Sequence, residues 1–88
     1  MKLILTVIND NDNDPVTQAL IGAGFRVTRI ASTGGFFRRG SSTLMIGVTD
    51  DKVETAIEVI RKSVSPAQEP GMKRATVFVL NVEHFTQI

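Results

Sequence analysis

FRVTRIASTGGFFRRGSSTLMIGVT, residues 25–49, contains two strand-like runs around a loop of paired glycines, phenylalanines and arginines. Phe25, Val27, Arg29 and Ala31 alternate with Arg26, Thr28, Ile30 and Ser32, the two-residue period of a strand. Polar side chains fall in both sets, so one of the two faces is expected to line a cleft or an interface. Gly34, Gly35 and Gly40 interrupt the pattern, and Thr43 to Val48 reads as the returning strand of a long hairpin. Its tip is Phe36, Phe37, Arg38 and Arg39. No Asp or Glu occurs between Pro15 and Thr49, while Arg26, Arg29, Arg38 and Arg39 all lie in that span. Positive charge without internal compensation attracts an anion.

Upstream, Lys2 to Asn9 is rich in Leu, Ile and Val, as in an inner strand covered on both sides. NDNDNDP follows, and predicts a helix with Asp14 as N-cap and Pro15 at the first helical position. Val16, Ala19, Leu20 and Ala23 give that helix one apolar stripe, and Gly24 supplies the left-handed residue that ends it. Downstream, Thr49 or Asp50 caps a second helix in which Val53, Ala56, Ile57, Ile60 and Val64 recur at helical spacing. Glu58 and Lys62 form an i, i+4 pair on its outer side. The short loop SPAQEPGMK, residues 65–73, leads to a last apolar strand from Ala75 to Val82. The order βαββαβ predicts an α+β, ferredoxin-like sandwich.

A chain of 88 residues forms one domain, 1–88, whose core alone is marginal, and association with further copies is a natural remedy. The absence of cysteine removes disulfides, thiolate nucleophiles and cysteine metal sites, and suits a reducing compartment. The apolar run LILTVI is too short to span a bilayer and lacks the flanks of a signal peptide, so a soluble, cytoplasmic protein is expected. With a net charge of +1, the case for an anionic partner rests on where the charges sit: acids at Asp10, Asp12 and Asp14, and again at Asp50, Asp51, Glu54 and Glu58, bracket the basic span.

Gly35 and Gly40 have the spacing of a phosphate-cradling P-loop, but Ser41 stands where the lysine belongs and a β-rich run follows where a helix is needed. Asp10, Asp12 and Asp14 open like a calcium loop, yet the glycine at the sixth position is missing and Ile21 occupies the twelfth, so a solvated turn and helix cap is the simpler reading. His84 is the single histidine and makes no catalytic set. The hairpin tip has two readings. Its phenylalanines pack against a neighbouring subunit, or Arg38, its companions and the glycine-freed amides hold phosphate while Phe36 or Phe37 stacks on a base.

The run from Phe25 through Thr-Gly-Gly-Phe-Phe-Arg-Arg-Gly to Thr43, then Gly47-Val-Thr-Asp-Asp-Lys-Val, then Ala75-Thr-Val-Phe-Val-Leu with Phe85 and Gln87, resembles the PII-like cyclic-di-AMP receptor family nearly end to end. The resemblance implies a homotrimer of ferredoxin-like subunits that binds the cyclic dinucleotide in clefts between neighbours and signals to a downstream protein through loop movement. It implies no catalysis and no cofactor. Carried over by position, Arg26 and Thr28 meet phosphate or base edges, the backbone of Gly35, Phe36 and Phe37 encloses one base, Gly47 permits close approach, and Gln87 reaches the other base. Three departures stand out. Gly24 and Ser41 replace asparagines, the 65–73 loop is short, and Lys73 and Arg74 replace glycines, adding a phosphate contact or obstructing the usual pose. Alternative readings are a trimer for another nucleotide (ATP, ADP or AMP), a structural trimer with a vestigial site, and an RNA-binding module of the same strand order.

Overall fold

The computed structural model describes residues 1–32, 40–67, 71 and 73–88. Its elements are β1 (Lys2–Asn9), a 3-10 turn (Asp10–Asp12), α1 (Asn13–Gly22), β2 (Val27–Ser32), β3 (Ser41–Val48), a second 3-10 turn (Asp50–Lys52), α2 (Val53–Ser63) and β4 (Ala75–Asn81). The four strands form one antiparallel sheet in the order β2-β3-β1-β4, so β1 is internal as its apolar composition predicts. Two helices over a four-stranded antiparallel sheet of this order are the arrangement of a ferredoxin-like fold.

Register decides what each face of the sheet carries, because directly paired residues point the same way. Ile4 pairs with Ile46, Thr6 with Leu44 and Ile8 with Ser42, and all six are buried beneath the helices. Val16 and Leu20 of α1 and Ala56 and Ile60 of α2 complete that core. The half-buried Val53 packs against it. Each fully buried aliphatic side chain of this kind contributes roughly 1.5–3 kcal/mol. The opposite face carries Leu3, Leu5, Val7 and Met45, each half-buried, with Phe78 53% and Leu80 43% exposed. β1 is therefore covered by helices on one side only, where its composition suggested both.

Several local expectations shift. Asp14 is not the cap of α1: the chain first makes the 3-10 turn, with the Asn9 side chain accepting from the Asn11 N–H, and Asp12 takes the N-cap position. Pro15 then sits third in the helix, tolerated because amides of the first turn have no intrahelical partner. A 3-10 turn likewise precedes α2, with Thr49 at its N-cap. Glu58 pairs with Arg61 at i, i+3 rather than with Lys62. In β2 the register slips between Arg29 and Ala31, so Arg29 pairs with Leu44 and Ala31 with Thr43, and the strict alternation read from the sequence ends at this bulge.

The end of α1 follows its sequence signal closely. Gly24 has φ +94°, its N–H donates to the Ile21 carbonyl at 2.9 Å, and the Phe25 N–H donates to the Leu20 carbonyl at 2.9 Å. These are the two bonds of a Schellman motif, with Phe25 packed against the core as its hydrophobic closure. Replacing Gly24 by Ala puts a Cβ on a left-handed residue, with an expected loss of about 1–2 kcal/mol. Thermal unfolding at fixed protein concentration should fall by several degrees, and by less for Gly24→Asn. Thr6 is fully buried and its hydroxyl has no partner among the described residues. Thr6→Val should therefore stabilise by about 1 kcal/mol, read from the denaturant midpoint.

Candidate functional site

The residues singled out from the sequence fall into four groups, the last being Gln87 in the tail after β4. Gly35, Phe36, Phe37 and Arg38 lie outside the described residues. Arg26, Thr28 and Gly47 come together at one end of the sheet: Thr28 pairs with Met45, Val27 pairs with Ile46, and Arg26 precedes Val27 as Gly47 follows Ile46. Arg26 and Gly47 line a cavity of about 350 Å³ that also takes in Gly24, Thr49, Lys52 and Thr55. Ser41 stands at the opposite end of β3, six residues from Gly47, a separation of about 20 Å at strand rise.

At the Arg26 end, Arg26 and Thr28 are exposed and presented by an edge strand. Arg26 makes no ion pair with a described residue, so its charge is available to a ligand. Gly47 is exposed, and a Cβ built on it would meet only the Met1 Cε at 2.9 Å, the far end of a flexible side chain. The protein's own packing can therefore give way at Gly47. Lys52, in the 3-10 turn before α2, adds a second cation to this cavity, and its sequence signal is the Gly47 to Val53 run. Beside it, the Thr49 hydroxyl and the Asp51 backbone amide hold the Asp51 carboxyl below the ordinary carboxylate range, with Lys52 adding to the effect.

At the Ser41 end, the 3-10 turn ties together three parts of the chain. The Asp10 N–H donates to the Gly40 carbonyl at 3.0 Å and the Ser42 hydroxyl donates to the Asp10 carboxylate at 2.5 Å, which anchors the start of β3. The Ser65 hydroxyl donates to Asp12 at 2.5 Å, which anchors the loop after α2. Asp12 is only 4% exposed, so the reading of the three acids as a solvated turn fails for it. Its partner lies 53 residues away, and nothing in the local sequence marks the pairing. A second cavity, of about 240 Å³, opens beside this turn and is lined by Asn11, Asp12, Ser41, Ser65, Lys73 and Arg74 among others.

Gln87 is exposed in the tail after β4. The tail leaves the sheet at the Gly47 end, because Asn81 pairs with Lys2 and Lys2 with Val48. It starts two strands from β3, about 10 Å across the sheet. Among the described residues no group of His, Asp or Glu is placed to hold a metal ion, and no helix is long and apolar enough to cross a membrane.

Buried Asp12 with its serine partner is a charge-assisted hydrogen bond worth about 1.5–3 kcal/mol. Asp12→Ala should destabilise by an amount in that range, and a double-mutant cycle with Ser65→Ala should return a coupling of about 1 kcal/mol or more. Additive losses would place the stability of Asp12 elsewhere.

Comparison with known proteins fits these findings. A crystal structure of a functionally unknown protein from Pediococcus pentosaceus ATCC 25745 superposes with a TM-score of 0.77 at 29% identity, covering 99% of this chain and 96% of the other. The family model described as cyclic-di-AMP receptor matches residues 1–70, which include the Arg26 cavity, β3 and the 3-10 turn and leave out β4. The chain belongs to the cyclic-di-AMP receptor family, a family of binding and signalling proteins.

Proposed function

We propose that this protein is a PII-like signal-transduction protein: a homotrimer that binds cyclic-di-AMP in clefts between subunits and passes the signal on through loop rearrangement. The observation that carries the reading is the division of the candidate ligand residues between opposite ends of β3. Arg26 and Gly47 lie at one end and Ser41 at the other. A ligand contacting both sets does so by lying between two copies, one offering its Arg26 end and the other its Ser41 end.

The uncovered face of the sheet supports association. Leu3, Leu5, Val7, Met45, Phe78 and Leu80 form an apolar patch that a subunit in isolation would leave in water. For so small a chain, burying this face against further copies supplies stability that its own core lacks. In the cleft, Arg26 supplies a charge-assisted bond to phosphate, Thr28 a hydroxyl, and Gly47 a surface that a base can approach closely. Loop arrangements that close on the ligand become more populated when it is bound. The anchored ends of the loops, Gly40 and Ser42 through Asp10 and Ser65 through Asp12, give such movement a fixed base.

Titration calorimetry with cyclic-di-AMP, cyclic-di-GMP, ATP and AMP tests the ligand, and sedimentation equilibrium tests the trimer. Binding of cyclic-di-AMP to a species of three subunits is expected. Arg26→Ala should weaken that binding by about 1.5–3 kcal/mol, the scale of a hydrogen bond to a charged group. No heat with any nucleotide on folded trimer would leave the structural role instead, and an unchanged affinity in the variant would remove Arg26 from the site.

A further inference from the structure

The cavity at the Ser41 end carries a charge arrangement that a cyclic dinucleotide does not fully use. Lys73 and Arg74 are adjacent, both exposed, and both line it. Neither makes an ion pair or hydrogen bond with a described residue. Asp12 also lines the cavity, buried and held by the Ser65 hydroxyl, and neither cation pairs with it. Two unpaired cations stand at the mouth of a cavity of about 240 Å³, and both lie beyond the residues 1–70 that the family match covers.

Charge count points to the ligand class. Each phosphate of a cyclic dinucleotide is a diester with one negative charge, whereas a terminal phosphate carries about −1.5 to −2 at neutral pH and three strong acceptor oxygens. A lysine and an arginine side by side match the second far better than the first. The Asn11 side-chain amide, also lining the cavity, can accept from the exocyclic amine of an adenine. We infer that this cavity takes a linear adenine nucleotide through its terminal phosphate, with Lys73 and Arg74 as the phosphate-holding residues. The linear dinucleotide differs from the cyclic one by a single water: the hydroxide of that water adds to one phosphorus, the bond from this phosphorus to the 3′ ribose oxygen breaks, and that oxygen takes the water's remaining proton. The protein thereby senses the opened ligand as well as the closed one, an inference that rests on the receptor reading above.

The test is calorimetry on the intact protein with cyclic-di-AMP, the linear di-adenylate with a 5′-phosphate, and the same linear dinucleotide without it. Wild-type protein should bind the phosphorylated linear form at least tenfold more tightly than the unphosphorylated one. The Lys73→Ser/Arg74→Ser variant should lose that preference and the charge-preserving Lys73→Arg/Arg74→Lys variant should keep it; the ratio of the two linear affinities is read within each variant, so it holds whatever happens to cyclic-di-AMP binding. Both positions are exposed, and an unchanged melting temperature verifies that the variants are folded. Equal affinity for the two linear forms in wild type, or a preference that survives the serine variant, overturns this inference alone provided cyclic-di-AMP binds. Absence of binding by every nucleotide overturns it together with the receptor reading.

Discussion

The antiparallel register of β1 against β3, unbroken from Lys2 with Val48 to Asn9 with Ser41, is the constraint on which the rest of the molecule depends. It sends Ile4, Thr6 and Ile8 under the helices with Leu44, Ile46 and Ser42, and leaves Leu3, Leu5 and Val7 on the other side. A slip of one residue would exchange those faces and bury the wrong set. The same register fixes the ends of β3, and with them the distance between the Arg26 cavity and the Ser41 cavity. Core, uncovered face and the separation of the two cavities are three consequences of one pairing.

Each end of the sheet then acquires its own chemistry from the connections that leave it. At one end, the Schellman closure of α1 at Gly24 delivers Phe25 to the core and Arg26 to the cavity, so a backbone requirement and a candidate ligand residue lie two positions apart. Gly24 meets the helix-ending need with no side chain, which accounts for a glycine at this position whatever the ligand. At the other end, a 3-10 turn of three residues reaches both the start of β3 and the loop after α2 through Asp10 and Asp12. Neither Lys73 nor Arg74 forms an ion pair with these carboxylates, and both cations stand exposed at the cavity beside the turn.

Much of this was legible in the sequence where the signal is local. The periodicity of Val53, Ala56, Ile57, Ile60 and Val64 marks the helix, and Gly24 marks the end of the one before it. The apolar run LILTVI marks an internal strand. What escaped depends on partners distant in the chain. Asp12 resembles its neighbours in an acidic turn, and only the approach of Ser65 makes it a buried anchor. The bulge after Arg29 leaves alternating polarity intact in the letters while shifting the pairing with β3. Arg26, Thr28 and Ser41 are candidate ligand residues by their place in the motif, but their separation along β3 follows from register and was invisible there. Gly35, Phe36, Phe37 and Arg38, outside the described residues, rest on their sequence alone.

Division of one ligand site between two copies is the central claim, and a crystal structure of the protein grown with cyclic-di-AMP tests it most directly. The trimeric reading predicts three copies with their apolar sheet faces buried, and each ligand held by Arg26 and Gly47 of one subunit and the Ser41 end of its neighbour. A ligand enclosed by a single subunit, or an assembly that leaves Leu5, Phe78 and Leu80 in solvent, would contradict it.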